Sequence, residues 1–151
     1  MPDTASDQGP AALPVTFRPG RTRAVLLTLA VGALVTITAV GMLLKGLGPG
    51  ERASFVLTAV LLAGVLLVLS RPKVVADEAG VTVVNLTTSR RLEWPEILRV
   101  NLRSGDPWVY LDLSDGTSLP ALGIQPGIAR EHAIADARAL RALVEARSGP
   151  R

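Results

Sequence analysis

Two stretches without a single charge, residues 24–44 and 53–69, constrain this chain more than any other feature. The first is 21 residues long. At about 1.5 Å per residue a helix over it measures about 31 Å, close to the roughly 30 Å of a bilayer's hydrocarbon core. Thr28, Thr36 and Thr38 are tolerated there because a hydroxyl can bond back to its own helix. The second run is extended by Ser70 and by the apolar stem of Arg71. Neither run has a polar face, which argues against a soluble helical pair. The spacing therefore predicts a transmembrane hairpin, helices at 24–44 and 53–70, joined by a tight turn over 45–52 with three glycines and a proline. A cleaved signal peptide is the rival for the first run. That run is long for a signal core, and a second span follows at once.

Charge supports this division. The net charge of +3 invites a nucleic-acid reading, but residues 71–151 hold eleven Lys/Arg against ten Asp/Glu. The excess flanks the apolar runs, as it does in membrane proteins. Arg18, Arg21, Arg23, Arg71 and Lys73 lie on one side of the hairpin, Lys45 and Arg52 on the other. Five against two places both termini in the cytoplasm. Residues 1–23, with Pro2, Gly9, Pro10 and Pro14 and a basic end, read as a disordered tail.

Beyond Pro72 the apolar period drops to two, with turn signals every eight to twelve residues. Six strands are predicted, at 73–77, 81–86, 90–94, 97–103, 108–113 and 117–122. Pairing Arg103 with Trp108 sets Leu102 against Val109, Val100 against Leu111 and Leu98 against Leu113 on one apolar face. The other face then holds Arg99, Asn101, Arg103, Trp108, Tyr110 and Asp112. For the next turn a three-residue loop, with Gly116 left-handed, sets Leu111 against Leu119 and Val109 against Ala121. The same loop length at 78–80 would set Asp77 against Val81 and Val75 against Val83. A helix is expected from about Pro126 to Arg147, its stripe formed by Ala133, Ala137, Leu140, Leu143 and Val144.

Two apolar helices followed by Arg-Pro-Lys-Val-Val at 71–75, Asp-Glu-Ala-Gly-Val at 77–81 and Leu-Glu-Trp-Pro-Glu-Ile at 92–97 resemble the bacterial PH-like membrane proteins of the low-molecular-weight-protein-antigen type. These occur in GC-rich bacteria, a background that fourteen arginines against two lysines also suggest. The resemblance covers about 24–147. It implies a membrane α-helical hairpin plus a β-rich α+β domain over 71–148, with two orthogonal antiparallel sheets of six or seven strands capped by a C-terminal α-helix. Many lipid-binding PH domains hold phosphates with basic residues in the first strand-to-strand loop. The loop read as its equivalent here is Asp77-Glu78-Ala79-Gly80, whose two acids argue against that mode.

Catalytic chemistry has little to work with. There is no cysteine, and His132 is the one histidine, read as a solvated helix residue. No phosphate loop, nucleophile elbow or metal-ligand spacing is present, so no enzyme, cofactor, metal or small-molecule substrate is expected. Trp94, ahead of Pro95, reads as a core anchor. Arg99, Arg103, Trp108 and Tyr110 form the candidate partner-binding face, since aromatic rings beside arginine make binding hot spots. The competing readings are that the chain's own helix or N-terminal segment covers this face, or that Arg103 simply stacks on Trp108. Arg90 and Arg91 are candidates for lipid headgroups, or for a solvated turn. The expected partners are the bilayer and an unidentified protein or second copy, not nucleic acid. The expected role is a membrane-anchored interaction module at the cytoplasmic face. The alternatives are an anionic-lipid surface sensor and a structural subunit of a larger membrane complex.

Overall fold

The computed structural model describes residues 10–149. The two apolar runs form α1 (Gly20–Leu43) and α2 (Pro49–Leu69), both long and apolar enough to cross a membrane. Their bounds differ from those read off the charge-free runs. α1 begins earlier and takes in Arg21 and Arg23. α2 opens on Pro49, whose missing N–H costs nothing in a first turn, and Glu51 Oε2 accepts the Gly48 N–H at 2.8 Å. The expected turn 45–52 therefore shrinks to 44–48. The two helices pack along a seam of small residues, with Ala30, Gly41, Ala59 and Ala63 buried.

The expected tail contributes structure. Residues 1–9 lie outside the described residues, but β1 (Val15–Phe17) is a strand, antiparallel to β2 (Lys73–Asp77), with Phe17 opposite Val74 and Val15 opposite Ala76. Three residues are too few to show a period. They are extended because β2 would otherwise present a row of unpaired backbone groups. Phe17 enters the hydrophobic core. The domain is thus discontinuous: its first strand precedes the hairpin and the rest follows it. The first strand-to-strand connection is the hairpin itself, not residues 77–80.

The sheet continues through β3 (Gly80–Val84) and β4 (Ser89–Glu93), in the order β1-β2-β3-β4. The β2–β3 turn corrects the sequence reading by one residue: Asp77 faces Gly80, Ala76 faces Val81 and Val74 faces Val83. Asp77 Oδ1 accepts the N–H groups of Ala79 (2.9 Å) and Gly80 (3.0 Å), closing a two-residue loop. Adjacent Val74 and Val75 left either register open on the apolar pattern. Val74, not Val75, is buried. Gly80 is required for close approach, since a Cβ there would lie 2.0 Å from the Leu92 carbonyl oxygen.

The second sheet is β5 (Ile97–Asn101), β6 (Val109–Leu113) and β7 (Ser118–Ala121). Val100 faces Leu111, Leu111 faces Leu119 and Val109 faces Ala121, as expected, and Gly116 has φ +82°. Three pairings differ: β5 ends at Asn101, so the expected Leu102–Val109 and Arg103–Trp108 pairs do not form in the ladder, and the third change lies at its other end. A bulge after Ile97 sets Ile97 against Leu113, so Ile97 is buried and Leu98 exposed. The Asn85 side chain ties the sheets together, donating to Pro120 O at 2.9 Å and accepting the Leu122 N–H at 3.1 Å.

The closing helix α3 (Arg130–Arg147) starts four residues later than Pro126 suggested, because Ala129 (φ −132°, ψ 65°) is still non-helical. Its buried stripe is the expected one: Ala133, Ala137, Leu140, Leu143 and Val144. Two sheets of four and three antiparallel strands around one core, with a C-terminal helix, make a PH-like fold.

Candidate functional site

Alternation along β6 buries Val109, Leu111 and Leu113 and turns Tyr110 and Asp112 outward. Register brings Asn101 opposite Tyr110 and Arg99 opposite Asp112. The Asp112 carboxylate is held by neutral donors, Asn101 Nδ2 at 2.5 Å and Ser118 Oγ at 3.0 Å. Arg99 is exposed, and its guanidinium has no ion pair among the described residues. The Trp108 ring lies 6.4 Å from Tyr110, tilted by 49°. Trp108 is half-buried, and its enclosed indole N–H meets no acceptor among the described residues. A stranded donor of this kind costs about 1–3 kcal/mol, which a purely packing residue such as Phe would avoid.

Arg103 does not pair with Trp108 in the ladder, because β5 ends at Asn101. Its N–H donates to Asp106 Oδ2 at 2.8 Å, which turns the chain, and its side chain lines a groove against α3. Of the four residues expected together, Arg99, Trp108 and Tyr110 belong to the β5–β6 ladder region and Arg103 stands in the loop at its end.

Arg90 and Arg91 lie within β4, each beside an acid. Arg91 Nη2 is 2.9 Å from Asp77 Oδ1 and its Nη1 is 3.2 Å from Thr82 Oγ1; Arg90 Nη2 is 3.5 Å from Asp115 Oδ2. The Arg91 hydrogen bond, with the turn N–H groups, holds the Asp77 carboxyl below its ordinary range against a smaller desolvation effect. Asp115 is lowered mainly by the Thr117 hydroxyl and N–H, and further by Arg90. Trp94 is buried, its Nε1 donating to the carbonyls of Asp77 (3.1 Å) and Glu78 (3.3 Å). His132 is exposed, 3.9 Å from Asp136, whose carboxyl is pushed up by burial against the pull of the imidazole.

The fold also gathers arginines that the sequence reading left apart. Arg103, Arg130, Arg138 and Arg141 line one groove of about 460 Å³ between the β5–β6 loop and α3. Arg141 Nη2 donates to the Val100 carbonyl at 2.8 Å and so covers the open edge of β5. A helical wheel shows Arg130, Arg138 and Arg141 near one another, but nothing in the linear sequence brings Arg103 to them. A neighbouring cavity of about 810 Å³ shares Arg130 and is also lined by Arg18 and Arg21, at the start of α1.

A family model described as a bacterial PH domain matches residues 71–143, which run from β2 into α3 and leave β1 outside. Uncharacterised proteins of Mycobacterium tuberculosis and Mycobacterium bovis are 32% identical over 83 residues, 55% of this chain and 53% of theirs. The chain therefore spans about half the length of the curated relatives it matches. No solved structure matches.

Proposed function

We propose a membrane-anchored, non-catalytic interaction module, since residues 71–143 match a family model described as a bacterial PH domain and two apolar helices stand before the second strand. Its domain meets a protein partner, or a second copy of the chain, at the cytoplasmic surface. The observation that carries this reading is the Trp108–Tyr110 ring pair at the start of β6, whose next outward residue, Asp112, faces Arg99, a residue with no ion pair among the described residues. Aromatic rings together with arginine are the composition of interface hot spots. Fold alone would not license the reading, since one fold serves many roles.

Crosslinking in native membranes, followed by mass spectrometry, tests it. The W108S/R99Q double variant should lose the crosslinked partner while its melting temperature stays within a few degrees. A domain that melts while the partner persists would make this face structural. The cytoplasmic assignment rests on flanking charge, and the β1–β2 pairing supports having both hairpin ends on one side. A cysteine replacing Gly48 should react with an impermeant thiol reagent on intact cells, and one replacing Ser148 should not. Headgroup contact through Arg90 and Arg91, the lipid-sensor alternative, would have to compete with Asp115 and Asp77.

A further inference from the structure

Charge on the domain is balanced in number but not in position. Arg103, Arg130, Arg138 and Arg141 face one groove, and among the described residues Asp106 is the one acid lining it. Asp106 already accepts the Arg103 backbone N–H. Among the described residues, no carboxylate pairs with the side chains of Arg103, Arg130 or Arg138. Several acids are engaged elsewhere: Glu78 with Arg147 at 2.6 Å, Asp77 with Arg91 and Asp115 with Arg90. Like charges gathered in a groove without counter-ions repel one another, and an anion entering it relieves that repulsion.

The position of the groove indicates the source of the anion. Arg130 also lines the adjoining cavity, with the acids Glu131 and Asp136, and Arg18, Gly20 and Arg21 form another part of its wall. Gly20 is the first residue of α1, so that wall stands where the chain enters the membrane. At the rim of the same cavity Ile128 is 59% exposed, one of two large aliphatic residues of the domain left open, the other being Leu98. An apolar residue beside arginines at a leaflet surface suits the boundary between headgroups and acyl chains.

We infer that the groove formed by Arg103, Arg130 and Arg138 binds the phosphate of an anionic phospholipid of the adjacent leaflet. Guanidinium forks match phosphate oxygens two at a time. The site differs from the acidic β2–β3 turn and from Arg90 and Arg91, and none of Arg99, Trp108 and Tyr110 lines it.

Native mass spectrometry of the full chain in a neutral detergent tests this, with dioleoyl phosphatidylglycerol, dioleoyl phosphatidylcholine and inorganic pyrophosphate as separate probes. Arg141 is left intact because it bonds to Val100, and Arg103 because it lies near the partner face. Wild type should bind phosphatidylglycerol more tightly than phosphatidylcholine. R130Q/R138Q should weaken phosphatidylglycerol about thirtyfold and leave phosphatidylcholine unchanged, while R130K/R138K should keep much of the affinity. W108S/R99Q should bind like wild type, so the partner reading can fail without this one failing. Equal phosphatidylglycerol affinity in wild type and R130Q/R138Q would overturn the inference, placing the lipid on the helices. Pyrophosphate binding without phosphatidylglycerol binding would overturn its membrane part. An unchanged melting temperature for R130Q/R138Q in detergent alone shows that the variant is folded.

Discussion

The hairpin and the domain behind it handle apolar side chains in opposite ways. Only 11% of the apolar window of either helix is buried inside the molecule, and Leu29, Val35, Leu61 and Val65 are open along its outside. In the domain, Val74, Val81, Leu92, Leu111 and Leu140 are wholly enclosed. Helices in lipid gain nothing by burying leucine, and α1 and α2, long and apolar enough to cross a membrane, meet through small residues. Water makes burial favourable for the sheets, so they close around a packed core. One chain therefore handles apolar residues in two ways, and β1, which precedes the hairpin, pairs with β2, which follows it.

The largest expected effect follows directly from that contrast. Leu111→Asp should unfold the domain, at a cost of about 5 kcal/mol or more, because it buries a carboxylate with no partner. Leu61→Asp, on the exposed side of α2, should leave the domain's melting curve in detergent unchanged. Near-ultraviolet circular dichroism during thermal melts separates the two, and a cooperative melt for Leu111→Asp would mean that the enclosed face is wrongly assigned.

The bridge between the two regions comes next. Phe17→Ala should destabilise the domain by about 3 kcal/mol in a urea titration, since Phe17 is 5% exposed within the core. A domain cut at residue 71 would lack this strand altogether. If Phe17→Ala has no effect, β1 contributes nothing to stability and the domain is contiguous after all.

Within the hairpin, Gly41→Leu should cost about 1–3 kcal/mol of helix–helix association, because a Cβ there would lie 2.5 Å from that of Phe55. Cysteines placed along the seam should then crosslink more slowly. Unchanged crosslinking would show that the helices are held by the domain rather than by their own seam.

The smallest effect concerns pH. A carboxyl held below its ordinary value contributes stability in full above the unfolded pKa of about 3.9, and loses it as pH falls through the folded value. Asp77 and Asp115 are both of this kind, so the melting temperature should decline below about pH 4. Asp136, raised by burial, works against them weakly. Asp77→Asn should flatten the decline, and an unaltered slope would mean that the Arg91 contact carries no weight in solution.

Some of this was present in the residues alone. Two charge-free runs of membrane length determine a hairpin, because the 1.5 Å helical rise and the bilayer thickness leave little freedom. The pairings of Val100, Leu111, Leu119 and Ala121 follow from strict alternation, since a one-residue slip would turn a whole apolar face to water. Ala133, Ala137, Leu140 and Val144 mark one face of a helix for the same kind of reason. The outward placement of Tyr110 opposite Asn101 came with that register. What the sequence left open was decided by contacts between distant segments. Val74 and Val75 are equally apolar, and the Asp77 side chain chose between them by closing the turn. Val15–Phe17 has no pattern to read and is a strand because β2 needs a neighbour. Ile97 displaced Leu98 through a bulge, which no period predicts. The arginine groove belongs to the same class. Residues 103, 130, 138 and 141 are separated by up to 38 positions, and a balanced charge count hides them. Only the packing of α3 against β5 brings these like charges together, with Asp106 the acid lining their groove among the described residues, because folding is governed by the apolar stripe and places surface charge wherever that stripe requires.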